Sequence, residues 1–450
     1  MRIAVVGSGI AGLSAAWLLA ARHQVTLFVA EPRLGGHTNT VEVAVDGVSH
    51  PVDTGFLVFN RRTYPNLCAL FDHLGIAPAA SEMSFSVSLL DRDLEWAGTS
   101  LATLFGQRRN ALRPAFLRML ADILRFNRAA SALARAERPG EQTLGEFLDR
   151  GRYGRAFRDW YLLPMAAAIW SCPPRSMLGY PAATFARFCH NHALLQIEGR
   201  PQWLTVAGGA RRYVERLAAP LTDVRLGVAV RSVDGMPGAF RVATDAGSEC
   251  FDQVVLACHS DQALALLAHP TEGEVAVLSR LRYQPNRAVL HSDARLLPRR
   301  RALWSAWNYI GAGQADGERP VGVSYLINRL QPVPFRTPVV VSLNPPLEPA
   351  PERVLAEFAY SHPLFDQGAI DAQAALAAIQ GRRGIWFCGA WTGYGFHEDG
   401  LKAGMAVARA LGCPAPWQAG AETAHDADNA QAPAAARGVQ PAAGVSGVAA

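Results

Sequence analysis

A short apolar run, Arg2 to Val6, leads straight into Gly7-x-Gly9-x-x-Gly12, which opens a helical stretch from Leu13 to Arg22 ahead of a β-branched run at Val25 to Val29. Strand, glycine turn, helix and strand in that order turn a common glycine pattern into a dinucleotide-binding signature. The first glycine permits the tight turn and the second lets the backbone approach a pyrophosphate. The third allows close packing of helix on strand, with the helix N-terminus facing the phosphates. The signature also asks for an acid at the end of the second strand, where it would accept hydrogen bonds from ribose hydroxyls. Val29 stands there instead, and Glu31, two residues later, is the acid left to reach them from the loop. A second glycine pair follows in Arg33-Leu34-Gly35-Gly36-His37-Thr38, beside polar groups suited to lie along a diphosphate.

The 19 uncharged residues from Ile3 to Ala21 are long enough for a membrane span or a signal peptide, but three glycines and two serines inside them fit the glycine turn better. With 450 residues, 50% hydrophobic and 18% charged, the chain reads as one or two large globular domains and not as a disordered protein. Its net charge of +5 rests on arginine, since Lys402 is the sole lysine, and nothing in the sequence points to nucleic acid. Seven cysteines form no C-x-x-C, so neither a disulfide framework nor a zinc site is indicated and a reducing, cytoplasmic setting is expected. His190 and His192, two apart, share no helical face and indicate no metal site. Between about Leu101 and Leu148 the pattern is helical and arginine-rich. A solvated basic face accounts for it, and docking of the 101–160 region on acidic headgroups at the inner face of a membrane, or on an acidic partner, is the alternative. Trp160 to Pro174 is uncharged but broken by three prolines, which suits a buried segment or pocket wall. Alternation at Val224 to Val233 and Phe240 to Thr244 suggests a hairpin before a buried strand at Gln253 to Cys258. After Pro414 the composition turns to Ala, Gly and Pro, and 414–450 is expected to be a disordered tail.

Taken together, Gly7 to Gly12, Arg33-x-Gly35-Gly36, the DTGF at Asp53–Phe56 and FCGAWTGYGFHEDGLKAG at Phe387–Gly404 resemble the FAD-dependent amine oxidase, phytoene desaturase and protoporphyrinogen oxidase superfamily. DTGFLVFNRRTYPNL (53–67), MSFSVS (83–88), RPQWLTVAGGARRYVERL (200–217) and GYGFHEDGLKAG (393–404) look more closely like a bacterial group of FAD-dependent oxidoreductases. Those are associated with cyclopropane and methyl-branched fatty-acid enzymes, including a methylated fatty-acid desaturase. The likeness covers nearly all of 1–413.

The resemblance implies an α/β fold, with a Rossmann-type, glutathione-reductase-like FAD-binding domain and an inserted α+β substrate domain. The flavin domain would be assembled from 1–80, 200–260 and 380–413, and the substrate or cap domain from 81–199 and 261–379. FAD, bound without a covalent link because no cysteine lies between Ala390 and Met405, would meet Gly7, Gly9, Ala11, Gly12, Glu31, Arg33, Gly35, Gly36 and His37. It would also meet the backbone of Val230 near the adenine, Thr54, Gly55 and Phe56 against the isoalloxazine, with Gly55 leaving room for the ring, and Gly389. Asp399, Gly400 and Leu401 would begin a final helix whose amides point at the flavin. Typical amine oxidases have Glu at Val29 and Arg at His37, often an acid just after the glycine matching Gly389, and a lysine in the substrate domain; all are absent here. His397 falls at the place of a cage aromatic over the flavin and is the candidate catalytic base, with Glu398 second.

The expected function is removal of a hydride from a C–H bond of a lipophilic substrate such as a phospholipid acyl chain, with oxygen or another acceptor taking the electrons. Desaturation of a methyl-branched unsaturated fatty acyl chain is the leading form. An amine oxidase, and a flavin-binding partner of a lipid-modifying enzyme without turnover, are the alternatives.

Overall fold

The computed structural model describes residues 1–137, 140–196, 199–236, 238–311 and 322–418. A five-stranded parallel sheet holds the N-terminal glycine turn, in the order Asp223–Leu226, Gln24–Val29, Arg2–Val6, Gln253–Leu256 and Ile385–Phe387. Strands this apolar need cover on both faces, and one core cluster joins Ile3, Val5, Leu27 and Val255 to Leu13, Tyr213 and Leu401 from three helices. Helix Ile10–Leu19 packs on the last helix, His397–Ala410, at a distance that only a glycine at 404 permits. A Cβ there would run into the Ala11 carbonyl.

The alternation read as one strand over Val224 to Val233 divides at Gly227, whose φ of 69° breaks the extended chain. Its first half joins the parallel sheet. Its second half, Val230–Met236, pairs antiparallel with Ala239–Thr244 and then Gly247–Phe251 in a separate three-stranded sheet.

The inserted segments share a seven-stranded sheet, in the order Val354–Leu364, Arg282–His291, Val340–Leu343, Val323–Leu326, Trp307–Gly311, Phe85–Leu89 and Leu94–Ala97. The parallel pairing of Trp307–Gly311 with Phe85–Leu89 ties the early insert to the late one. Helices Pro114–Arg135, Leu163–Trp170 and Ala182–Asn191 belong to the early insert, around a core that includes Phe116, Met119, Phe126, Phe157 and Phe185. Burial of each such aromatic ring contributes roughly 1.5–3 kcal/mol. Pro164 lies inside a continuous helical run, Arg155–Trp170, just after a π-helical stretch at Arg158–Leu162, so the proline-containing stretch from Trp160 stays helical and forms a wall.

Residues 419–450 of the expected tail lie outside the described residues. Just before them, Ala415 is buried and Trp417 stacks on Trp17 with ring centroids 6.4 Å apart, so the chain stays packed against helix Ile10–Leu19 as far as Trp417. Among the described residues no helix is long and apolar enough to cross a membrane.

Candidate active site

The three glycines of the first turn are required for three different reasons. Gly7 has φ of 106°, a conformation side chains rarely adopt, and a Cβ on Gly12 would strike the Gly7 carbonyl. Gly9 has φ of −64°, which any residue tolerates, and a Cβ there would meet no protein atom within 4 Å. Its empty side is the wall of a cavity at the N-terminus of helix Ile10–Leu19, a cradle shaped for a group outside the polypeptide.

That cavity encloses about 1450 Å³. An ordinary small-molecule site takes roughly 300–1,000 Å³, so there is room for a dinucleotide and a second molecule. Along its first arm lie Gly7, Gly9, Ala11, Glu31, Arg33, Gly35, Gly36, His37 and Val230, then Thr54, Gly55, Phe56, Gly389 and His397. Glu31 is exposed, and Val29, though buried, lines the cavity as well. Arg33 turns inward on its own loop, donating to the Gly36 carbonyl at 2.9 Å, and so holds the second glycine turn in shape. Gly36, at φ of 57°, in turn sits against Gly9, where a Cβ would lie 3.1 Å from the Gly9 Cα.

Gly55, expected to leave room for a flavin ring, has a different reason to be glycine. A Cβ would run into the His37 carbonyl, which accepts the Phe56 N–H at 3.0 Å. Thr54 Oγ1 donates to the Asn39 carbonyl and meets Tyr360 Oη at 2.9 Å. Asp53 accepts from the Ala210 N–H and Gln331 Nε2, and burial nevertheless pushes its carboxyl up to about 6.

Several expected contacts lie behind the wall rather than on it. Gly12, Glu398, Asp399, Gly400 and Leu401 do not line the cavity. Gly400 packs on Ile10 and Leu401 is fully buried in the core. Asp399 caps its own helix by accepting from the Tyr394 and Phe396 N–H groups, and burial raises its carboxyl to about 6. Glu398 is the clearest correction. Its Oε1 takes the Asn66 N–H and side-chain amide and its Oε2 the Leu67 N–H, so it neutralises the orphan donors that open helix Pro65–Leu74 and is not a base.

His397 does stand on the wall. Its ring stacks on Phe56 with centroids 3.7 Å apart and planes 11° from parallel. Nε2 lies 2.7 Å from Tyr213 Oη and 3.0 Å from Thr38 Oγ1, and those two hydroxyls are bonded to each other. Burial pulls the imidazole down to about 3, which keeps it neutral at ordinary pH.

Sequence reasoning missed the neighbouring group. His362 and Tyr360, from strand Val354–Leu364, reach the same cavity, and the His37 ring stacks on Tyr360 at 5.0 Å. Asn286 accepts from Asn344 Nδ2 and donates Nδ2 to the Gln284 carbonyl, which fixes its amide. The same Nδ2 therefore donates to His362 Nδ1 at 2.8 Å, and neutral His362 carries its proton on Nε2. Burial draws His362 down to about 4, and burial together with His362 and His259 draws His37 down as well. His37 Nε2 is a buried polar atom with no partner in the protein, which also fits a site for an absent polar group. No motif announces these residues, because their strand belongs to the late insert.

The second arm runs past Met83, Phe85, Trp96, Leu104, Leu120, Ile123, Tyr161, Met165, Ile169 and Phe188. Trp203 and Trp307 also face the cavity. Trp170 is core and Trp304 belongs to a small satellite cluster. His192 also lines this arm, stacked on Phe188 and bonded to the Phe188 carbonyl.

Residues 10–294 match the family model described as flavin containing amine oxidoreductase. The chain belongs to that family. Membership makes FAD its cofactor and oxidoreduction the class of its chemistry, in agreement with the glycine cradle and the unpartnered His37. A carotenoid phi-ring synthase of Streptomyces griseus is 30% identical over 314 residues, covering 63% of this chain and 58% of that protein. The chain thus aligns with little more than half the length of that relative. Among solved structures, cyclohexylamine oxidase from Brevibacterium oxydans has a TM-score of 0.66 at 15% identity, covering 91% of this chain and 99% of that one. A CLA-producing fatty acid isomerase from P. acnes has a TM-score of 0.62 at 16% identity, covering 91% and 98%. At those identities the likeness establishes the shared α/β flavoprotein fold.

Proposed function

We propose that this flavoprotein takes a hydride from a C–H bond of a lipophilic substrate, and that the reaction is desaturation of a methyl-branched unsaturated fatty acyl chain. The observation that carries the reading is the cap arm of the cavity. It is long and apolar, and the charged side chains bordering it are Glu82 and Arg200. The glycine cradle and its second loop would hold the diphosphate, and Thr54 to Phe56 with His397 would flank the reactive end. Bound FAD supplies an acceptor for the hydride and passes two electrons on to oxygen or another acceptor.

Desaturation removes a hydride from one carbon and a proton from its neighbour, and the electron pair of the second C–H bond becomes the new double bond. A C–H beside an existing methyl-branched double bond is a favourable donor because the developing charge is delocalised. His397 receives the proton. Burial keeps its imidazole unprotonated, Phe56 fixes its plane, and hydrogen bonding between Nε2 and the Tyr213 and Thr38 hydroxyls holds the ring in place. The same two hydroxyls stabilise the imidazolium once it forms.

Anaerobic mixing with methyl-branched unsaturated phospholipid should bleach the oxidised-flavin band. Bleaching by simple amines and not by lipid would make the chain an amine oxidase, and bound flavin that no substrate bleaches would favour the non-catalytic partner.

A further inference from the structure

We infer that the rim around the cap arm docks on an anionic lipid bilayer, so that an acyl chain passes from the membrane into the cavity without crossing water. This rests on the reading of a lipophilic substrate given above, and it adds a surface that reading does not require.

Helix Pro114–Arg135 carries two apolar faces. Phe116, Met119, Phe126 and Ala130 fill the core on one. Leu117, Leu120 and Leu124, spaced i, i+3 and i+7, form the other. Leu120 and Leu124 wall the cavity, yet Leu124 is 48% exposed, and Leu101 on the same lining is 75% exposed. The cavity therefore reaches the surface between them. Leu117, on the same helix face as Leu120 and Leu124, and Leu112, on the turn packed against that helix, are exposed as well. Exposed large hydrophobic residues are ordinary when scattered. Here four fall within 24 residues, and two of them, Leu101 and Leu124, line an apolar cavity.

Along this stretch of chain the charge is nearly all of one sign, with Glu82 on the lining and Asp93 beside Arg109 the acids facing it from other segments. Residues 101–135 hold seven arginines and one acid, Asp122. That acid is buried, paired with Arg125 and bonded to the Gly154 N–H, so it offers nothing to a partner. Arg108, Arg118 and Arg128 are exposed and make no ion pair among the described residues. Leucines flanked by unpaired arginines match an interface with apolar chains beneath and negative headgroups above.

The test uses the full chain with FAD and vesicles of phosphatidylcholine with or without phosphatidylglycerol. Sedimentation with the anionic vesicles is expected, weakening as salt rises. L112S/L117S and R108E/R118E/R128E should each lower partitioning by about tenfold or more. None of these five side chains lines the cavity, so flavin bleaching by detergent-dispersed lipid should stay at the wild-type rate. Failure of the wild type to sediment, or equal sedimentation of both variants, overturns the inference and leaves the patch to an acidic protein partner. Vesicle binding without bleaching by any lipid would retain the docking surface and reject the desaturation reading. Bleaching in detergent without vesicle binding would do the reverse.

Discussion

The two arms of the cavity are built on opposite principles. The flavin arm is made of backbone, with glycines 7, 9, 35 and 36 placed where side chains would collide or fill the cradle, all within the first 36 residues. The cap arm is made of side chains from segments up to more than two hundred residues apart, such as Phe85, Ile123, Phe188 and Trp307. A backbone site tolerates almost no substitution and leaves a motif. A side-chain site tolerates any apolar group of the right volume and leaves none. The first arm therefore announces a cofactor, and under the proposed function the second would carry the choice of substrate.

The sharpest break of this contrast lies within the glycine turn itself. G12A should forfeit stably folded, flavin-loaded protein, because its Cβ meets the fixed Gly7 carbonyl. G9A should melt within about 1–2 °C of wild type without FAD, since nothing in the chain opposes its Cβ, and yet bind FAD at least tenfold more weakly. Thermal melts of the apoprotein and flavin titrations check both. Equal affinity in G9A would mean that the cradle does not hold the diphosphate.

Next in size is the junction of the arms. H397A should retain FAD while lipid-driven bleaching slows by about 10²-fold or more, the usual range for a lost general base. An unchanged rate would remove His397 from the mechanism. E398Q should behave the other way, bleaching at a near-normal rate but losing about 1–3 kcal/mol of stability in denaturant melts. Its carboxylate serves a helix end and not the cavity.

The smallest effect belongs to the cap sheet, away from both arms. His291 is fully buried between the Asp293 N–H and Ser342 Oγ, and burial lowers it to about 4. A neutral histidine in the fold takes a proton on unfolding below its ordinary value near 6.5, so its contribution is complete above that pH and is lost as pH falls toward 4. The H291Q variant should show a stability-against-pH slope between 4 and 6.5 that is shallower by up to one proton, or about 1.4 kcal/mol per pH unit. Buried Asp53 and Asp399, both raised to about 6, oppose that slope, since they favour the fold when protonated and lose that advantage as pH rises from about 4 through 6.

Much of the flavin arm was legible from residue order alone, because a glycine turn between strand and helix has few physical solutions. Its neighbours were legible only in part. Val230 and Gly389 line the cavity as the motifs suggest, while Gly400 and Leu401 serve the packing of the last helix. Adjacent positions on a helix face different sides, and periodicity alone does not say which side meets the cavity. The second apolar stripe of helix Pro114–Arg135 shows the same limit, since a run of Leu and Ile reads as core until the exposure of Leu117 and Leu124 is known.

The sequence by itself determined the parallel sheet, the dinucleotide turn and the family, all properties of local order and backbone sterics. Tertiary structure alone decided that Glu398 caps a helix begun more than three hundred residues earlier, and that Asn286 and His362 meet across a strand pair beside His37. It also decided that the cap arm opens between Leu101 and Leu124. Those outcomes depend on which distant segments pack together, and the closure of long loops around a shared core leaves no periodic trace in the chain.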